Sequence, residues 1–397
     1  MFSARLNWTS AENELASAAR EAAERGGVID LTETNPTRVG LPDAAGAIGA
    51  ALARGALADY RPAPLGLPAA RAAVAADYAA AGIALDADRL VLTASSSESY
   101  GFLFKLCCDP GDAVLIPEPS YPLFEYLAGL EGIATAGYRL AFDGDWHVDF
   151  ASLEEAAAGA ARAGHRPRAL IVVNPNNPTG SYLKRHELAR LEAFCRAADL
   201  ALISDEVFAP YPFGPDADRV PCAAAAAPDA PVVFSLGGLS KACGLPHLKV
   251  GWIAVAGRQA DRALNALELI ADTYLSVSTP VQQALPELLH AGAGGRAAIA
   301  ARVAANRATL TSALPAGSAC SVLPTEGGWS AILRVPASRP DSDWAIGLAR
   351  DAAVLVHPGY FFEMRGGAFL VVSLLPAPET FANGIARVVA HVDGSLR

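Results

Sequence analysis

No uninterrupted apolar stretch in the 397 residues approaches the roughly 18 that a membrane-spanning helix needs, so no membrane partner is expected. The N terminus, MFSARLNWTSAENELASAAREAAERGG, is polar and helix-like. It has neither the apolar core nor the small-residue cleavage site of a secretory signal. Basic runs and basic tails are missing. With 41 acidic against 31 basic residues the net charge is −10, which argues against nucleic acid as a partner. The six cysteines, at 107, 108, 195, 222, 243 and 320, contain no C-x-x-C pair, and no metal site is expected. Cys107 and Cys108 are too close for an ordinary bridge, so free thiols in a reducing cytoplasm are the expectation. A Ser/Pro-rich linker and an internal repeat are also lacking.

What is present is core-forming material: 52% hydrophobic and 18% charged residues. The length suits two domains better than one core. Short β-branched runs read as strands: RLVLT (89–93), DAVLIPEP (112–119), RALIVVNP (168–175), LALISDEVF (200–208), PVVFSL (231–236) and VGWIAVA (250–256). Helical patterns lie between them, among them ESYGFLFKLCC, HELARLEAFCRAA and RQADRALNALELIADTY. This alternation predicts an α/β fold, a mostly parallel sheet of the seven-stranded type covered by helices. After about residue 285 the order changes. A helix (GGRAAIAARVAANRATLTSAL), the run SVLPTEGGWSAILRVP, a helix near 341–351, AVLVHPG, FLVVSLLP and a terminal helix predict a smaller α+β domain. The expected organisation is an N-terminal segment, 1–45, packing on the small domain; a large domain, 46–284; and a small C-terminal domain, 285–397.

Ligands of α/β sheets bind beyond the carboxyl ends of the strands, so the residues after each strand carry the chemistry. RLVLT is followed by ASSSESY, small hydroxyl residues at a helix start. That suits an anion, with Ser96 and Ser97 as added donors, although a plain serine cap reads the same way. RALIVV is followed by NPNNPTG, where Asn177 offers an amide. LALIS ends at Asp205, an acid that is costly to bury unpaired. PVVFSL leads to GGLSK and Lys241. Each feature is ambiguous alone. Together they place an anion site, an amide, a carboxylate and an amine on one rim, the set that pyridoxal phosphate needs.

NPNNPTG, SDEV and LSK follow one another with 28 residues from Asn177 to Asp205 and 36 from Asp205 to Lys241. In this the chain resembles the fold-type I pyridoxal-phosphate enzymes, and within them the class I/II aminotransferases, from LTETNPT (31–37) to FLVVSLL (369–375). The resemblance implies that Lys241 forms the Schiff base, Asp205 pairs with the pyridinium nitrogen and Asn177 bonds the ring oxygen. Ser96 and Ser97 would form the phosphate cup. Tyr121, in PSYPLF, would stack on the ring, with a core tyrosine as the alternative. Tyr60, in ADYRPAPLG, would reach the phosphate of a neighbouring subunit, which implies a homodimer with shared sites. Lys249 would clamp the phosphate in place of the family's arginine, as a point charge without the bidentate fork; its alternative is a solvated surface lysine.

The family pattern is broken at three further points. Phe208 stands where a tyrosine usually donates to the ring oxygen. Gly238 replaces a serine that touches phosphate, and Ser240 is the nearby hydroxyl. Val371 stands where the family carries the arginine that binds the substrate carboxylate. Arg38, Arg334 and Arg365 are candidates to replace it, with Arg38 preferred. Asn35 beside it, and Trp329 with Tyr360, would line the substrate site, core packing being the equal alternative for the two aromatics. The expected function is an aminotransferase that moves an amino group between an amino acid or amine and a 2-oxo acid. A pyridoxal-phosphate lyase or decarboxylase is the runner-up, because Val371 removes the usual carboxylate anchor. A non-catalytic sensor domain of a transcription regulator is the third reading, disfavoured by the acidic balance and the lack of a helix-turn-helix pattern.

Overall fold

A computed structural model describes residues 3, 5, 13–42, 45–55, 59–227 and 230–395. Most of the stretch 1–12 therefore lies outside the described residues. The first helix, Glu14–Glu24, starts where the Asn13 side chain accepts from the Ala16 N–H at 2.8 Å.

Eight strands build the large sheet. In space they run Leu90–Thr93, Gly251–Ala256, Val233–Gly238, Ala201–Asp205, Pro167–Val173, Ala113–Glu118, Ala134–Phe142 and Trp146–Val148. The four pairings from Val233–Gly238 to Ala134–Phe142 are parallel. Gly251–Ala256 and the edge strand Trp146–Val148 are antiparallel to their neighbours. The sheet is thus mostly parallel, as expected. It carries two strands that the sequence pattern did not reveal, Ala134–Phe142 and Trp146–Val148. Both are only partly buried, so neither shows the all-apolar run of an interior strand.

Period-two alternation sends side chains of each central strand to opposite faces. Ala201, Ile203, Phe234, Leu236 and Ile253 enter one core with Tyr100 and Phe104 of the helix Ser96–Cys107. Leu202, Val233 and Trp252 enter the other, with Val74, Leu188 and Leu285 from helices on that side. Asp205 and Glu206 continue this alternation past the strand end, and their partners lie on opposite faces.

The smaller unit is an antiparallel four-stranded sheet in the order Ser321–Val322, Ser330–Val335, Ala368–Ser373, His357–Pro358. The N-terminal segment joins it. Ile29–Asp30 pairs with Val354–Leu355, and Leu31 is buried in its core. A single helix, Thr279–Ser312, connects the two cores. It gives Leu285, Leu288 and Leu289 to the large one and Ile299, Val303 and Leu310 to the small one. The boundary expected at residue 284 falls inside this helix.

Candidate active site

Lys241 sits in the one-turn helix Leu239–Ala242, reached directly from the strand Val233–Gly238. Its turn is held from behind by Tyr211, whose O–H donates to the Lys241 carbonyl at 2.6 Å. The strand end needs glycine. A Cβ at Gly237 would lie 2.3 Å from Nε1 of Trp252, and one at Gly238 would be 3.1 Å from the carbonyl of Val250. The first contact excludes a side chain at 237; at 238 a serine would require the neighbouring backbone to give by a few tenths of an ångström. Lys241 Nζ lies 5.2 Å from the ring centre of Trp329 and 5.6 Å from that of Phe208. Burial lowers the pKa of this amine, and the charge of Asp205 opposes the shift. Among the described residues the amine has no hydrogen bond or ion pair, so it is a half-buried nucleophile without a fixed partner.

Asp205 ends its strand and is held in place. Tyr100 O–H donates to Oδ2 at 3.1 Å and the Val207 N–H donates to Oδ1 at 3.2 Å. Burial pushes its carboxyl up to about 6, against the opposing pull of those two bonds and of Lys241. Tyr100 was not anticipated. It lies on the helix that opens at the candidate anion site, four residues after Ser96, hence one turn along the same face.

That helix is capped by Ser95, whose Oγ accepts from the Glu98 N–H at 3.2 Å. Ser96 and Ser97 occupy its first two positions and are half-buried, so their N–H groups precede the first intrahelical bond. Asn177 accepts a hydrogen bond on Oδ1 from Ser330 Oγ at 3.0 Å, across the two domains. Its carbonyl end is thereby engaged, and its NH₂ end is left to donate. Ser330 is a second group that sequence reasoning missed.

The remaining candidates are less enclosed. Tyr121 is 50% exposed and Tyr60 68% exposed. Lys249 is exposed, yet it is held at φ 53°, a left-handed backbone that lysine rarely adopts. Asn35 caps the short helix Pro36–Arg38 by accepting from Thr37 N–H and Oγ1–H. Each of the three arginines has a local partner. Arg38 lies 3.5 Å from Glu33, Arg365 lies 3.0 Å from Glu118, and Arg334 stacks between Phe142 and Phe369. Val371 is buried in an apolar cluster with Leu323, Ile332, Phe362, Met364 and Phe369. Trp329 is buried against Phe208 and Tyr211, with its Nε1 unpartnered. Tyr360 is exposed and packs on Phe361.

Three of these observations fit pyridoxal phosphate. A half-buried carboxyl with no ion pair among the described residues would gain a cation in a protonated ring nitrogen. A half-buried amine without a hydrogen-bond partner is suited to covalent attachment. A helix start with open N–H groups suits a phosphate. Among the described residues no group of three or more His, Cys, Asp or Glu side chains could hold a metal ion, and no helix is long and apolar enough to cross a membrane.

Fold and rim together define a two-domain α/β protein with a lysine-bearing ligand site. The sequence profile of the family described as Aminotransferase class I and II matches residues 27–384, and this chain belongs to that family. Nicotianamine aminotransferase 1 of Oryza sativa subsp. japonica is 29% identical over 57% of this chain and 45% of that protein. The chain spans about half the length of the plant relatives it matches. A valine–pyruvate aminotransferase of Mycobacterium tuberculosis is also 29% identical, over 94% of this chain and 92% of its own length. Alanine aminotransferase from Pyrococcus furiosus superposes with a TM-score of 0.86 over 99% of this chain and 100% of that one, at 22% identity, a likeness of fold.

Proposed function

We propose that the chain is a pyridoxal-phosphate-dependent aminotransferase acting between an amino acid or amine and a 2-oxo acid. The observation that carries this is the convergence, on one sheet end, of a half-buried unpartnered amine (Lys241) and a half-buried carboxyl (Asp205) held by Tyr100. Pyridoxal phosphate, when bound, supplies a carbonyl carbon that amines attack and a ring that delocalises the electrons of a breaking C–H bond. Ser96 and Ser97 hold the phosphate, with Lys249 adding charge. Asn177 donates to the ring oxygen and Asp205 keeps a proton on the ring nitrogen. Lys241 Nζ, depressed by burial, takes and returns the substrate proton as general base and acid. Tyr121 covers one ring face. The exposure of Tyr60 supports a homodimer in which this residue serves the neighbouring site. The six free cysteines support a reducing, cytoplasmic setting.

The relatives' names point to amino acids as donors, among them alanine, valine and tyrosine. Holoenzyme mixed with a panel of amino acids and amines, with and without a 2-oxo acid acceptor, tests the reading. Stoichiometric oxo product and amino transfer to the acceptor are expected. Release of ammonia or CO₂ without an acceptor points instead to a lyase or decarboxylase, the reading that the apolar setting of Val371 favours.

A further inference from the structure

The turn that carries Lys241 is too short to hold itself. Leu239–Ala242 makes a single helical turn, closed by the Cys243 N–H on the Leu239 carbonyl at 3.1 Å. The carbonyls of Lys241 and Ala242 lie beyond that bond and must accept from elsewhere. Two distant side chains supply the donors. Tyr211 O–H reaches the Lys241 carbonyl, and Arg296 Nε–H donates to the Ala242 carbonyl at 2.9 Å.

Arg296 is itself held. Its Nη2 donates to both oxygens of Asp77, at 3.1 and 2.8 Å. The rigid guanidinium fork thus binds a carboxylate with one nitrogen and the turn with another. The two side chains are only 23% and 22% exposed, so this pair is better shielded than the surface pairs that contribute little. Asp77 lies in the helix Pro68–Ala80 of the large domain. Arg296 lies in Thr279–Ser312, between Leu289, which enters the large core, and Ile299, which enters the small one. That long helix runs close behind the turn. A Cβ at Gly292 would lie 2.6 Å from the Cβ of Cys243, and one at Gly295 3.0 Å from the Cys243 carbonyl. Contacts this close pass small displacements on.

We propose that Arg296, oriented by Asp77, is a positioning residue for Lys241 and ties the reacting turn to a helix that both domains share. The assignment rests on the reading of Lys241 as the reacting amine. Arg296 acts through the backbone: it fixes the Ala242 carbonyl, and the turn fixes where Lys241 Nζ lies beside Trp329 and Phe208. A loosened turn lets the amine reach water and undoes part of the burial that lowers its pKa. Asp205, whose charge also acts on the amine, is left in place by every substitution below.

The test is reductive methylation of the cofactor-free chain with formaldehyde and a borane reductant, followed at the Lys241 peptide by mass spectrometry across pH. Access to reagent sets the plateau of such a curve and protonation sets its midpoint, so the midpoint is read. Arg296→Met is expected to raise the Lys241 midpoint by about one pH unit, a tenfold change in the reactive fraction. Asp77→Asn is expected to raise it by less, since an amide oxygen still accepts from Arg296, and it serves alone if Arg296→Met does not fold. Arg54→Ala removes the Arg54–Glu287 pair, 3.0 Å apart, from the same long helix, and is expected to leave the midpoint unchanged. A wild-type midpoint in folded Arg296→Met or in Asp77→Asn overturns the proposal. So does an equal shift in Arg54→Ala, which would mark a general loosening of the helix. A failed aminotransferase reading shows itself separately, as missing oxo acid in turnover assays of the wild type.

Discussion

The two sheets meet at the candidate site with opposite chemistry. The large sheet ends in Asp205, the Lys241 turn and the Asn177 loop, each polar group held by a hydrogen bond or buried next to another. The small sheet brings Ser330 and Trp329, while the face bearing Val371 closes on itself as an apolar cluster. Parallel strands converge their ends on one rim, so polar residues that follow separate strands are brought together without long loops. The antiparallel sheet offers a packed face instead, and what it contributes is shape. The proposed cofactor half of the candidate site is therefore built from charges and the proposed substrate half mainly from packing.

The sharpest way to break this division is at Lys241. Lys241→Ala should lower oxo-acid formation by at least about 10³-fold, as removal of nucleophile and general base together does. Circular dichroism should show the fold retained, because the amine makes no hydrogen bond or ion pair among the described residues. Asp205→Asn comes next, with a loss of about 10²-fold in turnover expected from removing a charge at the reacting ring. The same variant has a signature without cofactor. Burial raises the Asp205 carboxyl from 3.8 to about 6, so the folded protein holds a proton that the unfolded chain has lost. The stabilisation is fully present below about pH 4 and is lost as pH rises through about 6, by roughly 3 kcal/mol. Urea melts of cofactor-free protein at pH 4.5 and 7.5 should show about 2 kcal/mol of that loss in the wild type, the rest falling below pH 4.5. Asp205→Asn should flatten it in part, since Glu206, raised from 4.5 to about 7, adds a slope of the same sign.

On the packed side, Val371→Arg should cost roughly 3 kcal/mol or more, because a guanidinium would enter an apolar cluster. A shift in thermal midpoint measures this directly. A variant that folds with wild-type stability and binds carboxylate substrates more tightly would show that the face is open to the site, and the contrast between the sheets would fail.

The polar rim proposed for the cofactor was legible as a rim because each interior strand is an apolar run that stops at a polar residue. Asp205 after LALIS and Lys241 after PVVFSLGGLS mark the rim. Lysine is also rare, occurring only at 105, 184, 241 and 249, which makes two within the glycine-rich stretch 237–252 a strong local signal. The supporting partners were not legible. Tyr100 reaches Asp205 across 105 residues and Ser330 reaches Asn177 across 153, and neither contact leaves a local pattern. The strand Ala134–Phe142 was hidden by its half-buried, alanine-rich sequence, which lacks a β-branched apolar run. The substrate half was hardest to read. An arginine's role depends on which acid it meets, and Arg38 and Arg365 meet Glu33 and Glu118 close by.

The smallest expected effect lies where the halves touch. Phe208 packs edge-to-face on Trp329 at 5.3 Å and its ring centre is 5.6 Å from Lys241 Nζ. The amine is also 5.2 Å from the Trp329 ring centre, so Phe208, Trp329 and Lys241 Nζ meet in one close triangle where the two domains join. Phe208→Tyr adds one hydroxyl and leaves that packing in place. If the site is polar on the large-domain side, the hydroxyl finds a donor or acceptor there. Stability then stays within about 1 kcal/mol, while the visible band of the holoenzyme titrates at a shifted pH. If the surroundings of Phe208 are as apolar as Trp329 alone would make them, the hydroxyl is buried unsatisfied and the thermal midpoint falls with no change in the titration. Absorbance titration and a thermal melt of one variant thus locate the line between the charged and the packed half to within a single side chain.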